Sequence, residues 1–412
     1  MAPRDARVVT GKERSGGGIA IEGGTVITLD PPSVERRDVV FGAGTRRRLD
    51  ASGCLVLPGL VIAHTHLYSA LARGMPGPPA PTHSFREILE RVWWRLDAAL
   101  DERSLSASAE VALLDAALSG ATAVIDHHES SSFIGGSLDV LAEAARAVGV
   151  RVALAYGATD RHGPAGAKAG LAECDRAIRA GLPAMVGLHA GFTVSDETLE
   201  AAADLAEQHG AWIHLHVAED RCDAGSFERL DRTGAIGSKT ILAHGVHLTA
   251  AERERAAATR AWIVHNPRSN LENAVGYADV ATLGPRVALG TDGMDGDLFT
   301  EARVAHLRAR EAYGPERGVD AVALLAASQL LADEALGPRP GDWVILDYVA
   351  STPLSAENLG GHVLFGLGAR HVRHVVVDGE LVVEDRRSVR VDAAEVHARA
   401  REEAARLWRR MA

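Results

Sequence analysis

Histidines and carboxylates recur where short apolar runs end, and these residue types bind divalent metals. The run that starts at Leu60 ends in His64 and His66, which point the same way if the run is a strand, because side chains alternate faces. Later apolar runs end near His216 and Asp292. Three imidazoles and one carboxylate suit a cation such as Zn²⁺ or Fe²⁺ and leave one position open for water. The sequence therefore predicts a catalytic site for one divalent metal.

Eight apolar runs are candidates for the strands that position these residues. They alternate with helical stretches rich in alanine and leucine, which is typical of a parallel sheet. Eight such units over about 250 residues predict an α/β fold, a (β/α)8 TIM barrel, whose functional residues follow the carboxyl ends of the strands. Strand eight then lies beside strand one. The predicted strands are Leu60–His66, Ala121–His128, Arg151–Gly157, Met185–Ala190, Trp212–Glu219, Thr240–Val246, Ala261–Pro267 and Val287–Gly293.

Short strands with glycine-rich turns near both ends of the chain predict a second, smaller domain. We expect a small β-sandwich built from residues 1–57 and 341–390, a barrel over residues 58–340 and a C-terminal helix over residues 391–412. The long first connection of the barrel, residues 67–120, contains a helical stretch that could cover the barrel mouth.

Composition restricts the partners. The 412 residues carry a net charge of −11, which argues against nucleic acid or an anionic membrane surface as a partner. Apolar runs are too short for a membrane span, and the charged N-terminal segment lacks the apolar centre of a signal peptide. The three cysteines are widely spaced and form no CxxC pair, so a reducing cytoplasm is expected.

Five segments together resemble the amidohydrolase superfamily, in its cytosine/adenosine-deaminase-like and chlorohydrolase-like branch. These segments are "PGLVIAHTH", "HLHVAED", "LAHGVHL", "HNPRSNLENAVGYA" and "LGTDGMDGDLF". The likeness covers nearly the whole chain and is nearest to SsnA-type aminohydrolases, through segments such as "WWRLD" and "DHHES". The resemblance implies that the four residues named above bind one divalent metal, most simply zinc, with iron as the alternative. It also implies that Glu219 shuttles protons, that His244 contacts the hydrolytic water or the substrate, and that His189 touches the substrate.

Lysine usage indicates how many metals such a site would hold. Two-metal members of the superfamily use a carboxylated lysine at the end of strand four as a bridging ligand. Strand four here reads "MVGLHAG", and lysine occurs only as Lys12, Lys168 and Lys239. The resemblance therefore implies a mononuclear centre.

The leading interpretation is hydrolytic deamination of an amino-substituted N-heterocycle, such as a purine, pterin or pyrimidine. Attack on a C=N carbon requires protonation of the ring, which Glu219 can supply, with Asp292 accepting the proton of the water and His244 stabilising the adduct. Two alternatives stay open. The same site could release chloride or an alkylamine from a triazine, or open an imidazolone or cyclic amidine. The chain could also be an inactive scaffold of this fold. A homodimer or higher homo-oligomer is expected.

Candidate substrate contacts lie in the first connection and after strand two. Trp94 is a candidate for stacking on a flat substrate, and Arg73 for contacting an anionic group. His128 and Glu129 are candidates for hydrogen bonds to the substrate, and the alternative is that they cap their loop.

Overall fold

The computed structural model describes residues 18–43 and 46–411, which form a barrel and two smaller sheets. The charged N-terminal segment, with Lys12, lies outside these residues. The described strands are β1 (Gly18–Glu22), β2 (Thr25–Leu29), β3 (Pro32–Arg36), β4 (Val39–Phe41), β5 (Arg46–Asp50), β6 (Leu55–Pro58), β7 (Leu60–Thr65), β8 (Ala121–His128), β9 (Arg151–Ala158), β10 (Ala184–Ala190), β11 (Ile213–Val217), β12 (Thr240–His244), β13 (Trp262–His265), β14 (Val287–Leu289), β15 (Trp343–Leu346), β16 (Val372–Val377), β17 (Glu380–Glu384) and β18 (Arg387–Ser388).

Helices follow the barrel strands, and one long helix ends the described part of the chain. The described α-helices are α1 (Phe85–Ile88), α2 (Trp94–Ala99), α3 (Glu102–Leu118), α4 (Ser137–Val148), α5 (Pro164–Arg179), α6 (Asp196–His209), α7 (Ser226–Arg232), α8 (Ala250–Thr259), α9 (Pro267–Glu272), α10 (Leu298–Tyr313), α11 (Ala321–Leu336), α12 (Leu359–Phe365) and α13 (Ala393–Met411). No helix among residues 18–43 and 46–411 is long and apolar enough to cross a membrane.

Strands β7 to β14 form one parallel eight-stranded sheet in chain order, and its two ends meet. Thr65, the last residue of β7, forms a parallel bridge with Asp292, just after β14. The Thr291 amide also donates a hydrogen bond to the His64 carbonyl at 2.9 Å. Each predicted strand is present, although the last one ends at Leu289 rather than at Gly293. The predicted TIM barrel is therefore confirmed.

The barrel strands are mainly apolar up to their carboxyl ends because both of their faces are buried. All six residues of β7 and all eight of β8 are buried. Neighbouring residues belong to different apolar clusters, with Ile62 in one and Ala63 in another. This is the result expected when successive side chains face opposite sides of a covered sheet.

The predicted β-sandwich is also confirmed, and it joins strands from both ends of the chain. A three-stranded sheet has the order β4-β1-β5, and a seven-stranded sheet has the order β18-β17-β16-β15-β6-β2-β3. Apolar side chains from both sheets pack into one cluster, including Ile21, Leu49, Val56, Ile345 and Val376. The exact domain boundaries stay a prediction.

The connection between β7 and β8 covers the barrel mouth with a broken helix. Helices α1 and α2 are joined by a π-helical turn over Leu89–Trp93. The C-terminal helix packs against this region, where Arg406 pairs with Asp101 at 2.6 Å and the Trp408 indole donates to the Leu71 carbonyl at 2.9 Å. The last helix thus braces the segment that forms one wall of the cavity described below.

Strand β10 approaches β9 so closely that Gly187 has no room for a side chain. A Cβ at this position would come within 2.5 Å of the carbonyl carbon of Tyr156, which belongs to the backbone and cannot move aside.

We expect Gly187→Ala to lower the free energy of unfolding by roughly 1–3 kcal/mol or more through overpacking. Gly237→Ala is the control, because a Cβ there meets nothing within 4 Å. Urea unfolding of both variants is the measurement, and equal midpoints would contradict the close-approach argument.

Candidate active site

Four predicted metal ligands converge at the carboxyl ends of β7, β11 and β14. One ligand atom from each of His64, His66, His216 and Asp292 lies within 4.8 Å of the other three. The His66 Nε2 atom is 2.9 Å from Asp292 Oδ1, His64 Nε2 is 3.6 Å from the same oxygen, and the Nε2 atoms of His66 and His216 are 3.2 Å apart. The structure thus brings together residues separated by up to 228 positions in the chain.

These distances fit one divalent cation. In a tetrahedral site with metal–nitrogen bonds of about 2.0–2.1 Å, neighbouring ligand atoms lie roughly 3.3 Å apart. The observed separations of 2.9–3.6 Å bracket that value. His64 Nε2 is also fully buried and has no hydrogen-bond partner among the described residues, which is costly unless another group binds it. The donor set and the orphaned nitrogen therefore suit a single metal.

Glu219, His244 and Asp292 form a second cluster that shares the aspartate with the first. Each of the three contributes one atom to a group whose members lie within 4.8 Å of one another. His244 Nε2 is 3.5 Å from Glu219 Oε2 and 4.0 Å from Asp292 Oδ2. His244 is the last residue of β12, and Glu219 follows β11 by two positions. The arrangement places a carboxyl and an imidazole beside the predicted metal ligands.

Two of these residues adopt backbone conformations that residues other than glycine rarely use. His244 has a φ of 78° and Asp292 a φ of 51°, both in the left-handed region. Asp292 is held there by contacts with Ser269 Oγ and with the Thr65 hydroxyl, and His244 by a 2.8 Å hydrogen bond between its Nδ1 atom and Asn270 Oδ1. Such strained conformations persist only where surrounding contacts stabilise them, and they are concentrated at functional sites.

The two carboxyl groups of the second cluster have opposite pKa shifts. Burial and the nearby charge of Asp292 raise the pKa of Glu219 well above its ordinary value. Burial also opposes ionisation of Asp292, but the imidazoles of His64 and His66 beside it outweigh burial and hold the pKa of Asp292 well below its ordinary value. Glu219 is therefore suited to donate a proton and Asp292 to accept one, a separation that commonly assigns acid and base roles.

Both clusters open into one cavity of about 550 Å³. Aromatic side chains from the broken helix and from the loop after β10 form much of its wall, namely Phe85, Trp93, Trp94 and Phe192. A mostly apolar cavity of this size with a few convergent polar groups is typical of a small-molecule site. Its walls suit a flat ring.

The structure brings four of the five predicted substrate contacts to this cavity. His189, Trp94, Glu129 and Arg73 line it, and the Arg73 guanidinium also pairs with Asp115 at 2.6 Å. Their substrate roles stay predictions.

His128 does not reach the cavity lining formed by the described residues. It is fully buried, its Nε2 atom lies 2.9 Å from Ser130 Oγ, and its ring contacts Tyr68 and Tyr156. The reason is the alternation of side chains along β8, which turns His128 away from the face that presents His127 to His66. The hydrogen bond to Ser130 agrees with the alternative that His128 supports its loop.

Sequence reasoning missed a buried ionic cluster beside the cavity. One nitrogen of Arg161, Nη2, lies 2.9 Å from Asp97 Oδ2 and 2.6 Å from Glu129 Oε2, and its guanidinium stacks over Trp94 at 4.6 Å. Burial and the charge of Asp97 raise the pKa of Glu129 to about 8, although Arg161 opposes the shift. These residues are 32 to 64 positions apart in the chain and share no motif, so no local pattern could have found them.

Sequence reasoning also missed the ion pair that anchors α9, the helix that carries Ser269 and Asn270. The fully buried Glu301 of α10 accepts hydrogen bonds from Arg268 Nε at 2.7 Å and from the Arg268 backbone amide at 3.2 Å. We expect Glu301→Ala to lower the free energy of unfolding by about 1–3 kcal/mol, because the Nε and backbone amide of Arg268 lose their buried acceptor while its guanidinium keeps the pair with Asp295 at 2.8 Å. Asp231→Ala, which breaks a more exposed pair with Arg255, should cost less than about 1 kcal/mol. Similar losses in urea unfolding would contradict this argument.

Comparison with known proteins agrees with this geometry. Residues 55–382 match the sequence profile of the Amidohydrolase family, which is more than half of the chain. This chain belongs to the amidohydrolase family. The sequence prediction of the family is therefore confirmed.

Relatives of this amidohydrolase are named as deaminases. A 5'-deoxyadenosine deaminase of Methanosarcina mazei is 29% identical, over 96% of this chain and 94% of the relative. A 5-methylthioadenosine/S-adenosylhomocysteine deaminase of Archaeoglobus fulgidus is 30% identical, over 93% of each chain. They support the prediction of a hydrolase that deaminates an N-heterocycle.

Solved structures share the amidohydrolase fold. An adenosine deaminase from Xanthomonas campestris, solved with bound zinc, superposes with a TM-score of 0.79 at 24% identity, covering 95% of this chain and 98% of that one. An atrazine chlorohydrolase from Arthrobacter aurescens superposes with a TM-score of 0.78 at 23% identity, covering 94% and 100%. At these identities the likeness extends to the fold alone.

Proposed function

We propose that this amidohydrolase is a zinc-dependent aminohydrolase that deaminates an adenine-like N-heterocycle, with an adenosine derivative as the leading substrate class. The observation that carries the proposal is the sharing of Asp292 between the two clusters, which places Glu219 and His244 next to the ligand atoms of the metal site. The names of the relatives support the substrate class, and the 550 Å³ cavity has room for a nucleoside.

The proposed ligands are His64, His66, His216 and Asp292. A zinc ion bound there would supply a Lewis acid that makes water nucleophilic at neutral pH. The lysine-free end of β10 favours a single ion.

The proposed proton transfers follow from the pKa shifts. Asp292, ionised because its pKa is lowered, accepts the proton of the attacking water. Glu219, protonated because its pKa is raised, donates to a ring nitrogen and makes the adjacent carbon electrophilic. Glu219, now a carboxylate, takes the hydroxyl proton of the adduct and delivers it to the amino group. The carbon–nitrogen bond breaks as the carbonyl forms, ammonia leaves, and the proton held by Asp292 returns to Glu219. His244 donates from Nδ1 to Asn270 Oδ1, so its Nε2 atom keeps a lone pair that accepts a hydrogen bond from the attacking water and orients it.

A panel of heterocycles tests the proposal. Adenosine, 5'-deoxyadenosine, 5'-methylthioadenosine, S-adenosylhomocysteine, guanine, cytosine, a pterin and a chlorotriazine would be assayed for ammonia and chloride release, with zinc measured on the same sample. We expect ammonia release with the highest kcat/KM among the adenine nucleosides. Chloride release from the triazine as the fastest reaction would contradict the proposed leaving group. No turnover of any compound by fully zinc-loaded protein would contradict the proposed deaminase activity.

We also propose a homo-oligomer in a reducing compartment. The three cysteines, Cys54, Cys174 and Cys222, form no disulfide, which supports the compartment. Light scattering of the purified protein would test the oligomeric state, and a monomer at micromolar concentration would contradict it.

A further inference from the structure

The three histidines of the metal site differ in what holds their second ring nitrogen. His66 Nδ1 lies 2.6 Å from the carbonyl oxygen of His127, and His216 Nδ1 lies 2.6 Å from the carbonyl oxygen of His189. His64 Nδ1 instead lies 2.9 Å from Nε2 of another imidazole, that of His214. Two ligands are thus held by the backbone and one by a side chain.

This difference determines how firmly each tautomer is set. A carbonyl oxygen only accepts, so His66 and His216 must carry their proton on Nδ1 and keep a lone pair on Nε2, the metal-facing atom. A neutral imidazole accepts or donates, depending on its tautomer. His64 can therefore donate from Nδ1, which leaves its Nε2 atom free to bind a metal, or accept at Nδ1, which puts the proton on Nε2 and blocks binding.

No other described group sets which of the two imidazoles donates in the hydrogen bond between His64 and His214. His214 is fully buried, and its Nδ1 atom has no hydrogen-bond partner among the residues that the structure describes. Its ring packs edge-on against that of His127, with centroids 5.1 Å apart. His127 Nε2 bonds to the Leu188 carbonyl, and within the described part of the chain the hydrogen bond of the His214 ring is made to His64.

We propose that His214 is a positioning residue for the metal site. With its proton on Nδ1, it accepts the Nδ1 proton of His64 and so holds His64 in the tautomer and ring orientation that direct the Nε2 lone pair toward Asp292. His214 itself stays out of the ligand set. The inference rests on the proposed ligands but not on the proposed substrate or leaving group.

Zinc affinity of three purified variants tests this role. His214→Leu removes the acceptor with little change of volume, whereas His214→Gln keeps an acceptor oxygen near the position of Nε2. His265→Leu is the matched control, because His265 is also fully buried at a strand end and neither of its ring nitrogens has a partner in the described structure. Competition with a chelator would give the zinc dissociation constant of each protein.

We expect His214→Leu to weaken zinc binding by about 10–100-fold, the usual effect of removing a partner that orients a metal ligand. His214→Gln should stay within several-fold of the parent protein, and His265→Leu should match it. Parent-like affinity of His214→Leu, or equal loss in the Leu and Gln variants, would overturn the acceptor role. Equal loss in His265→Leu would overturn it as well, by showing a general effect of removing a buried imidazole.

Nitrogen-15 spectra of histidine-labelled parent protein provide a measurement that needs no variant to fold. In the zinc-loaded protein we expect His214 to carry its proton on Nδ1, and a proton on Nε2 would overturn the proposal. The outcome is independent of catalysis. If no heterocycle in the panel is deaminated, the zinc-affinity and nitrogen-15 results still test the role of His214. Zinc retention by His64→Ala would instead show that the proposed ligand set is wrong.

Discussion

Replacing Glu219 by glutamine is expected to lower kcat for deamination by roughly 10²–10⁴-fold, the range that positioned acid–base groups contribute. Glutamine keeps the shape of the side chain but cannot donate a carboxyl proton to the ring or carry it to the amino group. Zinc content should stay at the parental level, because Glu219 lies outside the proposed ligand set. Steady-state kinetics and metal analysis of the same preparation are the measurements.

The pH profile makes this prediction specific. The pKa of Glu219 is raised, so its protonated, proton-donating form persists to higher pH than that of an ordinary glutamate, and kcat should fall as the pH rises through that pKa. In Glu219→Gln this alkaline decline should disappear. Glu228→Gln, at an exposed position on α7, is the control and should behave like the parent. Full activity of Glu219→Gln on the best substrate would refute the proposed mechanism.

Replacing His64 by alanine is expected to abolish stoichiometric zinc binding and to lower kcat/KM by roughly 10³-fold or more, at least about 4 kcal/mol of transition-state stabilisation. The physical reason is the loss of one of three imidazoles at a site with no spare donor in the four-residue cluster. Zinc analysis after dialysis and initial rates are the measurements.

Thermal unfolding separates loss of metal from loss of fold. Zinc stabilises the folded state by mass action, so added zinc should raise the Tm of metal-free parent protein. It should leave the Tm of His64→Ala nearly unchanged. His265→Ala, which removes a buried histidine from the end of β13, should still respond to zinc. A zinc-dependent rise in His64→Ala equal to that of the parent would rule out the proposed ligand.

Sequence reasoning succeeded where the signal is local. The period of two along a strand places His64 and His66 on one face, and the alternation of apolar runs with helices predicts the barrel. Barrel closure then brings Asp292 beside strand one, as the bridge with Thr65 confirms. The missing lysine in β10 is likewise visible without coordinates.

Sequence reasoning failed where contacts join distant segments. Arg161 lies in the loop after β9, Asp97 in helix α2 and Glu129 just after β8, and only the folded chain puts them in one buried cluster. The break of the covering helix into α1, a π-helical turn and α2 was equally invisible, because apolar periodicity does not distinguish a π-helical turn from an α-helical one.

The sequence by itself determined which chemistry this amidohydrolase can support, because residue type and strand period decide which side chains share a face. Only the tertiary structure decided which of those side chains reach the cavity and in what state. Glu129 lines it whereas its neighbour His128 is packed against Tyr68 and Tyr156. Glu219 and Asp292 acquire opposite pKa shifts, because burial and charged neighbours, which depend on the path of every packed element, set the ionisation of each carboxyl group.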